Sequence, residues 1–314
     1  MPGRSLNLAG LLLVTLAVAA CGVGAGSAPG GVQLVVTQDF GTRSLADLPE
    51  PEAGGSDTVM RLLSRNLQVT TRYGGGFVQS VNGVSGGTAK GRPVDWFYYV
   101  NGVEAGEGAT ATKVRETDVI WWDHHDWGTT NRIPAVVGSF PAPFRSGVDG
   151  KKLPVRVECS PADIPACQTV QDAMTATGVF AAQGGLQQSI TKQTLRIVVG
   201  PWRRIRDDDT VRLLESGPQV SGVYARPAKD GRSIAILDPR GRTTRTLGPG
   251  DGLIAATQLE DGQPVWIVTA VDVAGVVATS KALDQGNLKD NFAFAVDAGR
   301  AVAVPEVAGG APGP

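Results

Sequence analysis

The sequence predicts an α+β protein: a small β-rich unit, then an α/β layered unit with a mixed, partly parallel sheet. Three observations lead there. Asn82-Gly83 and Asn101-Gly102 each follow a strand-like run, and Asn-Gly pairs favour tight hairpin turns. From 151 to 304, short helical patterns alternate with apolar strand-like runs, the order of an α/β unit. Between the halves, 129–150 is rich in proline and small residues and reads as a semi-rigid, extended connector.

The first 31 residues speak to compartment. Arg4 precedes an apolar run over 8–20, which ends in Val18-Ala19-Ala20-Cys21. A charged start, an apolar stretch and small residues at the cut form a secretory signal. At about 13 residues the run is shorter than the roughly 20 that a spanning helix needs. Its last four residues resemble the bacterial lipobox, which implies that Cys21 becomes a lipid-bearing N-terminus. An ordinary signal peptide cut near Ala20 is the alternative. A multiply acylated Cys21 would hold the protein to the extracytoplasmic face of the cell membrane. Residues 22–31 are nearly all Gly, Ala, Ser and Pro and are expected to be a flexible linker; 305–314 is expected to be a disordered tail.

Composition argues against one class of partner. With 29 basic and 30 acidic residues, charge is nearly balanced, and a nucleic-acid partner held by a basic surface is not expected. Cys159 and Cys167, the only cysteines after Cys21, are expected to form a disulfide in an oxidising compartment, since no histidine lies near them.

In the first unit (32–128), the β-branched run 32–37 reads as a strand. Ser56-Asp57 offers helix caps before 58–65, where Val59, Leu62 and Leu63 share a face. Strands are expected at 67–71, 77–81, 96–100 and 119–122. The helix Thr-Val-x-x-Leu-Leu, then Gly-Gly-Phe-Val-x-Ser-Val-Asn-Gly, Trp-Phe-Tyr-Tyr-Val-Asn-Gly and Asp-Val-Ile-Trp-Trp resemble an uncharacterised domain family. That family is related to the C-terminal β-domain of the cobalamin carriers transcobalamin and intrinsic factor. The resemblance covers 31–127 and implies a β-grasp-like topology, with a corrinoid as one conceivable ligand. The acidic insert at 49–52 and Arg92-Pro93-Asp95 depart from the pattern, so no binding surface is carried over from the family.

Alternation sends Trp96, Tyr98 and Val100 to one face of their strand and Phe97 and Tyr99 to the other; it likewise separates Trp121 from Trp122. A small sheet cannot bury all these rings in one core. Either one face packs on the helix and the other on the second unit, or some rings form a platform for a planar ligand. In the second case the candidate binding residues are Trp96, Tyr98, Tyr99, Asn101, Trp121, Trp122 and His124. His124 and His125, flanked by Asp123 and Asp126, are weak metal candidates, because neighbours on a strand face opposite ways. No resident cofactor is expected.

In the second unit (151–304), strands are expected at 153–157, 194–199, 222–225, 233–237, 264–270 and 292–296. Cys167, Val170 and Met174 share a helical face that Gly178 ends. Asp207-Asp208-Asp209 is read as the cap of a helix at 210–215, and Asp272 as the cap of one at 273–283. Neither a Gly-x-Ser-x-Gly elbow nor a phosphate-binding Gly-Lys loop is present. The expectation is a non-enzymatic lipoprotein that binds a small ligand, with a membrane transporter as partner. A protein-interaction module of the envelope and a carboxylate-dependent wall hydrolase are the alternatives.

Overall fold

The computed structural model describes residues 28–186 and 193–308. Cys21, most of the expected linker and the end of the expected tail lie outside the described residues.

The first unit contains β1 (Gln33–Gln38), β2 (Arg43–Leu48), α1 (Val59–Asn66), β3 (Val69–Arg72), β4 (Phe77–Val81) and β5 (Val84–Ser85). It continues with β6 (Gly87–Ala89), β7 (Arg92–Val100), β8 (Val103–Glu104) and β9 (Val119–Asp126). The main sheet runs β2-β1-β9-β7-β6, with β8 beside β7. β1 and β9 are parallel, and β2 and β7 flank them antiparallel. With α1 across one face, this is a β-grasp-like arrangement. Alternation along β1 sends Leu34 and Val36 under α1 and Val35 to the opposite face.

The helix α1 buries Val59, Met60, Leu62 and Leu63, each contributing roughly 1.5–3 kcal/mol of transfer free energy. Its cap is Thr58, whose Oγ1 accepts from Arg61 N at 3.3 Å, and not the expected Ser56 or Asp57. Asp57 is already committed: it accepts from Gly54 N at 2.7 Å and from Arg65 at 2.9 Å. Strand β9 outruns the expected 119–122, because β1 and β7 pair with it on both sides through Asp123, His124 and beyond.

The connector is not extended throughout. It contains a turn of helix, α2 (Ala142–Arg145), and is stitched to both units. Glu104 N donates to Pro134 O, Val136 N to Gly102 O and Val137 N to Phe292 O. Phe140 and Phe144 find shelter against Trp266, with ring centroids 5.7 and 5.1 Å away.

The second unit begins with β10 (Val155–Cys159), α3 (Ile164–Ala176), β11 (Ala181–Gly185), β12 (Leu195–Pro201), α4 (Trp202–Ile205) and α5 (Pro218–Ser221). Next come β13 (Ala225–Pro227), β14 (Ile234–Leu237), β15 (Thr243–Leu247), β16 (Gly252–Thr257) and β17 (Val265–Ala270). It closes with α6 (Val273–Ser280), α7 (Gln285–Leu288), β18 (Ala293–Asp297) and β19 (Arg300–Val304). The seven-stranded sheet runs β11-β10-β12-β17-β16-β18-β19; the first four strands are parallel and the rest antiparallel. Helices α3 and α6 cover one face, while the small β13-β14-β15 sheet and the first unit pack on the other. Burial on both faces explains why β12, β16 and β17 are apolar without alternation.

Cys159 and Cys167 are disulfide-bonded, with Cα atoms 6.4 Å apart. Asp272 caps α6 through Gly275 N at 2.7 Å, and Asp208 accepts from Thr210 N and Val211 N. The turn that Asp208 opens is a 3₁₀ helix over Val211–Ser216, cut short by Gly217 and Pro218. The expected disordered tail starts too early at 305. Glu306 N donates to Leu237 O, and its carboxylate meets Arg245 at 2.7 Å, so the chain stays docked past β19. Among the described residues no helix is long and apolar enough to cross a membrane.

Candidate functional site

The aromatic residues singled out by the sequence divide between two cores. Trp96, Tyr98 and Trp122 face α1, with Tyr98 and Trp122 ring centroids 4.9 Å apart. Trp96 Nε1 donates to Val84 O at 3.2 Å, and the Tyr98 hydroxyl meets Thr112 Oγ1 at 2.8 Å. Tyr99 and Trp121 face the second unit, joined by Phe97 at the edge of the same core. Phe292 stands among them, 5.6 Å from Tyr99 and 5.1 Å from Trp121. Asn101 holds the second Asn-Gly turn at φ +52°; its amide donates to Asp118 and Gly147 O, and its carbonyl accepts from Val119 N. Of the two arrangements that alternation allows, the structure shows the packed one: one face of the strand pair meets α1 and the other the second unit, with Phe97 and Tyr98 partly buried.

The two histidines diverge as strand neighbours must. His124 lies beside Trp96 at 5.1 Å and its Nε2 meets Ser85 O at 3.1 Å; its buried Nδ1 has no partner among the described residues. Burial pushes its pKa down, against the opposing pull of the Ser85 carbonyl and Asp123. His125 stacks between Phe40 and Phe97, at 4.6 and 4.5 Å, and its Nδ1 donates to Asp123 at 2.7 Å. Asp123 is fully buried and also accepts from Thr37 Oγ1, Phe40 N and Gly41 N. Asp39, Phe40 and Gly41 all have positive φ, and this turn brings the Phe40 and Gly41 N–H groups into a nest around the carboxylate, while Asp39 N donates to His124 O at 2.9 Å. The pair is committed to structure. Among the described residues no cluster of three or more His, Cys, Asp or Glu is placed to hold a metal.

An uncommitted polar site lies elsewhere. Where β1 and β2 meet segment 138–145 and residues 285–290, a cavity of about 200 Å³ opens. Val35, Val119, Phe140 and Ala142 form its apolar floor; Gln33, Asp47, Ser139, Arg145, Gln285, Lys289 and Asp290 supply polar groups. Two glycines let the walls approach. A Cβ on Gly41, at φ +82°, would stand 1.7 Å from Asp290 O, and one on Gly138 would stand 2.8 Å from Asn291 N. Asp284 caps α7 through Asn287 N, and Asn291 Nδ2 ties back to Asn287 O and Lys289 O, which fixes the 285–290 wall.

Charges in the cavity are unequally satisfied. Lys289 and Asp47 pair at 2.6 Å. Arg145 is exposed and makes no ion pair among the described residues. Among the described residues the buried Ser139 hydroxyl has no hydrogen-bond partner. Burial lifts the Asp290 carboxyl to about 6, Lys289 opposing and Asp47 and Asp123 assisting. No hydrogen bond supports its charged form among the described residues.

Residues 56–126 match the model of a family described as a domain of unknown function, DUF4430. The DUF4430 match runs from α1 to the end of β9 and leaves out β1, β2 and the second unit. Neither the curated proteins nor the solved structures give a match to the chain. Of the residues lining the cavity, only Val119 falls inside the DUF4430 match. None of the polar lining residues stood out in the sequence, because they come from four separate segments; the Lys289-Asp290-Asn291 run before β18 was the one local signal.

Proposed function

We propose that this protein is a non-enzymatic binding component outside the cytoplasm, tethered through lipid on Cys21, that holds a small polar molecule between its two units. The observation that carries this is the cavity of about 200 Å³ at their junction, where, among the described residues, Arg145 makes no ion pair and the Asp290 carboxylate accepts no hydrogen bond. Junctions between packed units are a common location for ligand sites. A membrane transporter is the natural recipient of a ligand held at that surface.

The likeness of the first unit to the β-domain of cobalamin carriers bears on ligand class in a limited way. Its aromatic rings serve the cores, and a corrin ring is far larger than the cavity, so small polar nutrients rank above corrinoids. A wall hydrolase gains less support, because Asp47 is tied to Lys289. Calorimetry of the full-length protein in detergent, against a nutrient panel that includes cobalamin and cobinamide, tests the reading. Saturable binding that Gln285→Trp blocks is expected; a silent panel would sink it.

A protein-interaction role has one observation of its own. Tyr73, 86% exposed, stands edge-on to Phe77 at 6.3 Å on the turn between β3 and β4. That reading expects Tyr73→Ser with Phe77→Ser to abolish recovery of a cross-linked envelope partner without changing ligand binding. Unchanged recovery would reject it.

A further inference from the structure

We propose that the cavity takes a small zwitterion, a molecule with a carboxylate and an ammonium group on a short aliphatic frame, and that Arg145 and Asp290 receive its two ends. The proposal rests on the binding role argued above and specifies the ligand class.

The charges of the walls carry the inference. Lys289 pairs with Asp47 at 2.6 Å and reaches neighbouring Asp290 only through its charge, so among the described residues Arg145 makes no ion pair and the Asp290 carboxylate accepts no hydrogen bond. A guanidinium presents a planar fork of donors that fits a carboxylate with two parallel hydrogen bonds. At the other end, a half-buried carboxyl without hydrogen-bond donors is costly to ionise, and an arriving ammonium removes that cost. A ligand with a single charge would satisfy one of these groups and desolvate the other without compensation.

Size and floor narrow the class further. About 200 Å³ is below the usual range of drug-sized pockets and suits a molecule of a few heavy atoms. The floor of Val35, Val119 and Ala142 accepts a short aliphatic group and offers no side-chain hydrogen bonds to a sugar-like one.

The test compares L-valine with isovalerate, which lacks the ammonium, and isobutylamine, which lacks the carboxylate, by calorimetry on the full-length protein in detergent. Valine is expected to bind saturably, and each analogue at least about tenfold more weakly. Arg145→Gln should weaken valine and isovalerate alike. Asp290→Asn, which keeps shape and tolerates the positive φ, should weaken valine and leave isovalerate unchanged. Isovalerate binding as tightly as valine would overturn the zwitterion and leave a small-anion site. If all three probes fail but the nutrient panel yields a ligand that Gln285→Trp excludes, the zwitterion falls and the binding role stands. If the panel is silent too, both fall.

Discussion

The ring of Phe292, carried by the second unit, stands edge-on to Trp121 of the first, with centroids 5.1 Å apart and planes at 72°. Phe40, Tyr99 and His125 surround the same ring at 5.2, 5.6 and 5.4 Å. One side chain of the second unit thus fills a socket of four rings of the first. Phe292→Ala is expected to cost about 3–5 kcal/mol in urea unfolding, from lost burial and the cavity left behind. Combined with Trp121→Ala, the loss should fall short of the sum of the two single changes, because both remove the same contact.

Asp123 organises the loop beneath that socket. Truncating it would strand the Thr37 hydroxyl, the Phe40 and Gly41 amides and His125 Nδ1 in the interior. Asp123→Ala is expected to cost about 3–5 kcal/mol, since each buried donor left without its acceptor costs roughly 1–3 kcal/mol. Denaturant midpoints compared with Asp209→Ala, an exposed acid, measure the difference; equal shifts would show that the nest adds nothing.

Gly41 combines a φ of +82° with a contact that leaves no room for a side chain against Asp290 O. Gly41→Ala should cost at least about 1–2 kcal/mol from the left-handed backbone alone. Further loss should come from forcing the 285–290 wall outward. Limited proteolysis should then cut the 129–150 connector faster than in the parent, and an unchanged cutting rate would argue against coupling between this contact and the docking of the units.

The disulfide closes a short loop, with its cysteines eight positions apart. Replacing Cys159 and Cys167 together by alanine is expected to lower stability by about 2 kcal/mol, mainly through a less constrained unfolded chain. The same loss should follow reduction of the parent protein, and the alanine variant should be insensitive to reductant.

Asp290 gives a pH signature of unusual sign. Its folded pKa, about 6, lies above the ordinary 3.8, so the folded state holds the proton more tightly than the unfolded state. Stability from this group is present at low pH, declines as pH rises from about 4 to about 6, and is absent above that. Asp57 and Glu306, held below their ordinary values by Arg65 and Arg245, work the other way, losing stability as pH falls. Subtracting the Asp290→Asn profile from the parent isolates the Asp290 contribution. A flat difference between pH 4 and 6 would contradict this assignment.

Local chemistry was legible in the sequence wherever neighbours along the chain decide the outcome. The α+β class, the Asn82 and Asn101 turns, the Asp272 cap, the stop at Gly178 and the pairing of Cys159 with Cys167 all depend on residues a few positions apart. Edge strands such as β2 and β15 escaped notice because their exposed, polar residues lack an apolar repeat. Strand alternation is geometric, so the opposite facing of Trp96 and Phe97, and of His124 and His125, was likewise legible from their positions alone. Which face meets water, ligand or a second core depends on contacts between residues far apart, and only the tertiary structure decided it. Phe292 closes one face of the aromatic pair and α1 the other. The same long-range packing gathers Gln33, Arg145 and Asp290 around one cavity, although no local pattern links them. Periodicity acts along the chain, whereas burial of these rings and charges is a property of the folded whole.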